Sequence, residues 1–182
     1  MVFSIDFTGK NYIVTGGNRG IGLAITRSIV SAGGNVAILY RSSSSAPQVA
    51  EGLEKEFTGV KVKAYQCDVT DQKRVGEVFK LVGEEFESGI VHGVVANAGV
   101  AIVRDALEIG QEEFDCKCSY MTTVVHQADL ASSRPVMYKT NVLGVFYTAQ
   151  AAARIWIEKG FRQGKSLRLL SLLRDCGRLI TL

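Results

Sequence analysis

At 182 residues, with 47% of them apolar, the chain is long enough for one domain with a sizeable core, and disorder of the whole is excluded. No apolar run approaches the roughly 20 residues of a membrane span, and the start, MVFSIDFTGKNY, has no basic stretch leading into an apolar one, so neither a membrane span nor a secretory leader is expected. The net charge of +3 comes from residues 161–182, where Arg162, Lys165, Arg168, Arg174 and Arg178 stand against Asp175 alone; the rest carries no excess of cations, so a nucleic-acid footprint is not expected.

In chain order, residues 11–15, NYIVT, form a short β-rich run that leads directly into the glycine stretch TGGNRGIG at 15–22. Beyond it, Ile21, Ala24, Ile25, Ile29 and Ala32 recur at helical spacing until Gly33 and Gly34 stop the helix. NVAILY at 35–40 is the near-continuous apolar run of a strand buried on both faces. Val49, Leu53 and Phe57 mark one face of a helix over 46–57, and the alternation of VKVKAY predicts a strand over 60–65. Thr70 can cap the next helix, whose apolar stripe is Val75, Val78, Phe79, Val82 and Phe86. A fourth strand, VHGVVANAG, occupies 91–99, and a long amphipathic helix is expected from about 140 to 159 with Val142, Val145, Phe146, Ala149, Ala153 and Trp156 inward.

Strands alternating with helices imply right-handed crossovers, hence an α/β fold with a doubly wound parallel sheet in the order 3-2-1-4 and helices on both faces. Such a sheet binds ligands at the carboxyl ends of its strands, and the glycines stand at the carboxyl end of the first. Alone, Gly16, Gly20 and Gly22 are equally readable as a plain turn. Between a strand and a helix they gain chemistry, because the free N–H groups and positive dipole end of that helix point at whatever the loop holds. Gly16 permits the tight turn, Gly20 a close backbone approach by a pyrophosphate, and Gly22 close packing of helix on strand.

The spacing of TGGNRGIG, with three residues between the first two of these glycines and one before the last, resembles that of the short-chain dehydrogenase/reductase family. Further stretches agree in order: CDVT at 67–70, NAG at 97–99, and KTNVLGVFYTAQ at 139–150. Within that family the sequence is most similar to NADP-dependent polyol and ketose reductases of the mannitol, sorbose or xylulose type. The resemblance implies hydride transfer between NADP(H) and a sugar or polyol, with Asp68 and Val69 at the adenine, Asn97, Ala98 and Gly99 as the turn after the fourth strand, and Asn141 as the catalytic asparagine. Asn18, Ile21 and Ser42 complete the implied cofactor contacts. The nucleotide itself can be argued from charge. An acidic residue ending the second strand would favour the free ribose of NAD, but that strand ends LYRSS; Arg41, with Arg19 in the glycine loop, favours the 2′-phosphate of NADP.

The resemblance then fails in two places. The family's proton donor is a tyrosine followed four residues later by a lysine that lowers its pKa. None of Tyr12, Tyr40, Tyr65, Tyr120, Tyr138 or Tyr147 has such a lysine, and Lys139, adjacent to Tyr138, points away from it on a helix. Where the family's serine-ending strand is expected stands KSLRLLSLLRDCGRLITL at 165–182, and Ser171 within it is discounted as a stand-in for the strand serine. Residues 116–137 interrupt the join between EEFD and YKTN with loop-like composition, read as an inserted loop. The expected organisation is thus an NADP-binding domain over 1–164, the family pattern truncated after its fourth long helix, and an atypical tail over 165–182. Cys116, Cys118 and His126 lack a fourth ligand, so no metal site is expected. GFRQGKS at 160–166 has one residue too few between its glycines for a P-loop. Four cysteines without a leader suggest a reducing, cytoplasmic setting. With only the doubtful LRLLSLL to cover the fourth strand's outer edge, association or aggregation is expected.

Overall fold

The computed structural model describes residues 5–86, 89–100 and 138–159, with the backbone of 169–171. The inserted loop expected at 116–137, with its two cysteines and His126, lies outside the described residues, as does the 165–182 tail apart from that short piece. The first strand, β1 (Asn11–Thr15), leads into α1 (Gly20–Ser31), β2 (Asn35–Tyr40), α2 (Ala46–Glu56), β3 (Val62–Gln66), α3 (Gln72–Glu85) and β4 (Gly93–Ala96). A π-helical turn (Lys139–Leu143) runs into α4 (Gly144–Glu158), and β5 (Leu169–Ser171) follows.

The sheet has the order β3-β2-β1-β4-β5 with every pair parallel, which contains the 3-2-1-4 arrangement expected from the alternation. The register aligns Ile13 with Ala37 and with Val94, and Ala37 with Lys63. Because side chains alternate across a strand, Ile13, Ala37 and Leu39 pack on one face against Val75, Val78, Phe79, Val82, Ile155 and Trp156 of α3 and α4. Val14, Val36 and Ile38 pack on the other against Ile29, Val30, Ala50 and Leu53 of α1 and α2. These two apolar layers are the doubly wound core. β5 pairs with β4, so the doubtful run does supply a fifth strand, of which three residues are described.

Three expectations need correction. The cap of α3 is Asp71, which accepts from the Arg74 backbone N–H at 3.0 Å; Thr70 instead donates its hydroxyl to Asp68 at 2.8 Å. The inward face of α1 is Gly22, Thr26, Ile29 and Val30, while Ile21 is exposed. In α4 the buried residues are Gly144, Thr148, Ala151, Ala152, Ile155 and Trp156, while Phe146 and, in the π-helical turn before it, Val142 face out. Both helices carry a small residue where they meet the sheet ends most closely, and that contact, not the largest side chains, sets their rotation: a Cβ on Gly144 would lie 2.7 Å from Val69.

Candidate functional site

At the carboxyl ends of the strands the chain is tied by its own polar groups. Thr15 ends β1, and its hydroxyl oxygen accepts from the backbone N–H groups of Asn97 at 3.0 Å and Ala98 at 2.9 Å. The Asn97 amide donates in return to the Thr15 carbonyl at 3.0 Å. The turn after β4 is therefore locked onto the start of the glycine loop. Gly16 and Gly20 both adopt positive φ, 66° and 53°, which makes the loop's two reversals. Gly22 meets the loop most tightly: a Cβ there would lie 2.1 Å from the Gly16 carbonyl oxygen and 2.6 Å from the Asn97 amide nitrogen. Around Gly20 a Cβ would meet nothing within 4 Å, so the outer side of the loop is open.

The loop delivers α1 with an open N-terminus. Its N-cap, Arg19, has extended backbone and makes no side-chain capping bond, and the first turn holds no acidic residue. Arg19 and Arg41 are both exposed, and neither has an ion-pair partner among the described residues. Ser42 is exposed beside Arg41, and Asn18 is buried inside the loop. The Arg41 carbonyl accepts from the Gln66 amide at 3.1 Å, joining the ends of β2 and β3. After β3, Asp68 is half-buried, and its Oδ1 accepts both the Thr70 backbone N–H and its hydroxyl. Val69 is buried beneath Gly144.

Asn141 lies in the π-helical turn, and its side chain grips the turn after β4 from the far side. Its Oδ1 accepts from the Val100 N–H and its Nδ2 donates to the Val100 carbonyl, both at 2.9 Å. Gly99 stands beside it: a Cβ there would lie 3.3 Å from the Asn141 Oδ1. In this structure Asn141 thus acts on backbone position, through the turn that holds Asn97, Ala98 and Gly99.

The residues proposed from the sequence stand where β1, β2, β3 and β4 end, or where α1 and the π-helical turn begin. Thr15 and Val100 belong with them and were missed. Thr15 carried a signal, a hydroxyl ending an otherwise apolar strand; Val100 engages only through its backbone and carried none. The discounted Ser171 is set opposite Ala96 at the carboxyl end of β5, where the resemblance places a serine. Burial above all pushes the Cys67 thiol up to about 12. Burial likewise raises Tyr65, whose hydroxyl donates to Glu85 at 3.0 Å, and raises Tyr12.

Residues 10–166 match the family model described as short chain dehydrogenase. The chain belongs to the short-chain dehydrogenase family. The sorbose reductase sou1 of Schizosaccharomyces pombe is 32% identical over 160 residues, a match covering 88% of this chain and 54% of that protein. Among solved structures, the NADPH-dependent 3-quinuclidinone reductase of Rhodotorula rubra aligns over 92% of this chain and 53% of its own, with a TM-score of 0.66 and 30% identity. A short-chain dehydrogenase of Burkholderia cenocepacia in complex with NADP aligns over 91% of this chain and 55% of its own, at a TM-score of 0.65 and 29% identity. This chain therefore spans about half the length of the short-chain dehydrogenases it matches. No described helix is long and apolar enough to cross a membrane.

Proposed function

We propose that the chain holds NADP(H) at the carboxyl edge of its sheet and, with the residues it contains, has little capacity to transfer hydride between that nucleotide and a polyol or ketose. One observation carries this reading: α1 begins with an uncapped N-terminus at the exposed Arg19, and the exposed Arg41 follows β2, the strand beside β1, neither arginine in an ion pair among the described residues. A pyrophosphate suits the free N–H groups of α1, and a 2′-phosphate suits the two guanidinium groups. No carboxylate ends β2 to compete for the ribose. The NADP and NADPH named for two structural relatives, and the sorbose reductase among the curated ones, support the nucleotide and the substrate class.

Bound NADPH would supply a hydride to a carbonyl carbon; the protein must supply the proton. An asparagine amide neither gives nor takes one near neutral pH, so Asn141 cannot do so. The tyrosine with a lysine four residues on, which would, is absent from the sequence. General acid–base catalysis contributes about 10² to 10⁴ in rate, and a misplaced nicotinamide forfeits more through lost proximity. These residues thus supply the nucleotide side of such a reaction and not its proton donor.

The test has two parts. NADPH should raise the melting temperature more than NADH, and Arg41→Asp should abolish or reverse that order, because a carboxylate repels the 2′-phosphate and accepts from a free ribose hydroxyl. Nucleotide at about 100 times its dissociation constant should add roughly 2.7 kcal/mol of stability. Equal shifts with both nucleotides would refute the roles of Arg19 and Arg41. NADPH oxidation with fructose, sorbose or xylulose should stay at background; turnover within tenfold of an intact relative would show that another group donates the proton.

A further inference from the structure

The connection from β2 to α2 reads RSSSS at 41–45, one cation followed by four small polar residues. None of these side chains enters either apolar layer, so packing does not fix them. Backbone pairing of β2 with β3 ends at the Tyr40 carbonyl, which accepts from the Cys67 N–H at 2.8 Å. At the far end of the connection the Ala46 N–H donates to the Ser43 carbonyl at 3.3 Å, and the Ser43 and Ser45 hydroxyls share a bond of 3.0 Å. Between these two anchors lie Arg41, the residue read as taking the 2′-phosphate, and Ser42. Among the described residues, one hydrogen bond reaches this pair: the Gln66 amide Nε2 donates to the Arg41 carbonyl at 3.1 Å.

Gln66 is the last residue of β3 and stands opposite Tyr40 in the register. Its side chain carries the pairing one residue past the point where the two backbones part. The residue is also held from behind: its carbonyl accepts from Arg74 Nε at 3.3 Å, and Arg74 Nη1 meets Glu77 Oε2 at 3.3 Å on α3. A line of contacts thus runs from α3 through Gln66 to the Arg41 peptide. Its value lies in timing. An arginine on an untethered connection must be ordered as the phosphate arrives, and that ordering is subtracted from the affinity. A tether already formed in the free chain removes the cost in advance. It does so only for a ligand that uses Arg41, so a nucleotide with a 2′-phosphate gains and one with a free ribose does not.

Resting on the reading of this edge as an NADP(H) site, we infer that Gln66 is a positioning residue for the 2′-phosphate: its amide fixes the Arg41 peptide, so the guanidinium is held ready before nucleotide binds. The test measures NADPH and NADH affinities by calorimetry in the unaltered chain, Gln66→Met, Arg41→Ala and the double variant, with the melting temperature of each in the absence of nucleotide. Methionine keeps the length of glutamine and lacks its donor. Because Gln66 is exposed, Gln66→Met should melt within about 2 °C of the unaltered chain. It should bind NADPH about three- to tenfold more weakly and NADH within about twofold. On the Arg41→Ala background the same substitution should change neither affinity by more than about twofold, since no guanidinium remains to be positioned. Unchanged NADPH affinity in Gln66→Met would overturn the inference and leave the nucleotide reading standing. Equal weakening of both nucleotides would overturn it too, because a disturbed strand end would then account for the effect. So would an NADPH loss that persists in full on the Arg41→Ala background. Equal affinities of the unaltered chain for NADPH and NADH would overturn the reading of Arg41 and this inference together.

Discussion

Two glycines with similar sequence surroundings carry opposite consequences for an added methyl group. Gly22 is pressed between the Gly16 carbonyl and the Asn97 amide, neither of which can retreat without opening the link between β1 and β4. Gly22→Ala should destabilise by at least about 3 kcal/mol or prevent folding, beyond ordinary overpacking, because the obstruction is backbone. Gly52, within α2, has nothing within 4 Å of the position a Cβ would take, so Gly52→Ala should stabilise by about 0.5–1 kcal/mol through helix propensity. Denaturant midpoints for the two variants check both signs at once. His92 provides a pH test at the opposite edge of the sheet. Its Nδ1 accepts the Asn11 backbone N–H at 3.0 Å, a bond that requires the neutral ring. Burial, with Lys10 nearby, holds its pKa below the usual 6.5, against an opposing contribution from the Ile90 carbonyl. A depressed pKa in the folded state means the unfolded chain binds the proton more readily. The contribution is therefore present above about pH 6.5 and lost as pH falls through the folded-state value. Melting temperature should fall between pH 7.5 and pH 5, and the fall should be smaller in His92→Gln.

At the scale of elements, the strands and α3 follow their sequence patterns while α1 and α4 do not. All five apolar positions read for α3 are buried, because that helix meets the sheet through large side chains, as amphipathic patterning assumes. Its start was misplaced by one residue, since Thr70 and Asp71 are both good caps and only the fold decides which of them reaches a free N–H of the first turn. Asp71→Ala should therefore cost about 1 kcal/mol, while Thr70→Ala should act through Asp68 and leave the helical content unchanged. Circular dichroism during urea titration separates the two. In α1 and α4 the inward faces run through Gly22 and Thr26 and through Gly144 and Thr148, residues that a hydrophobic period does not count. Trp156 was still placed correctly, as a large ring that packs in the core and donates to the Val91 carbonyl at 2.5 Å.

For the whole molecule, the outward rotation of α4 has a colloidal consequence. Val142 and Phe146, one turn apart, are 46% and 57% exposed, and Ile157 is 75% exposed near the end of the same helix. An apolar helix face of this kind favours association. The chain should elute above its monomer size at micromolar concentration, and Phe146→Glu should shift it toward monomer by light scattering. A monodisperse, cooperatively melting monomer without the substitution would contradict this expectation.

The sequence alone was enough to establish the order of strands and helices, the parallel sheet and the edge that carries the site, because hydrophobic period and glycine punctuation are local signals and right-handed crossovers leave few topologies to choose among. It also offered candidates for that edge, since Gly16, Arg19, Arg41, Asp68, Asn97 and Asn141 all follow strand ends or open a helix. What only the tertiary structure decided were contacts between segments far apart in the chain: Thr15 binding the turn after β4, Asn141 holding Val100, and Gly144 against Val69. Those depend on how closely two elements approach, and closeness is set by small residues and backbone groups, whose role no periodic pattern records.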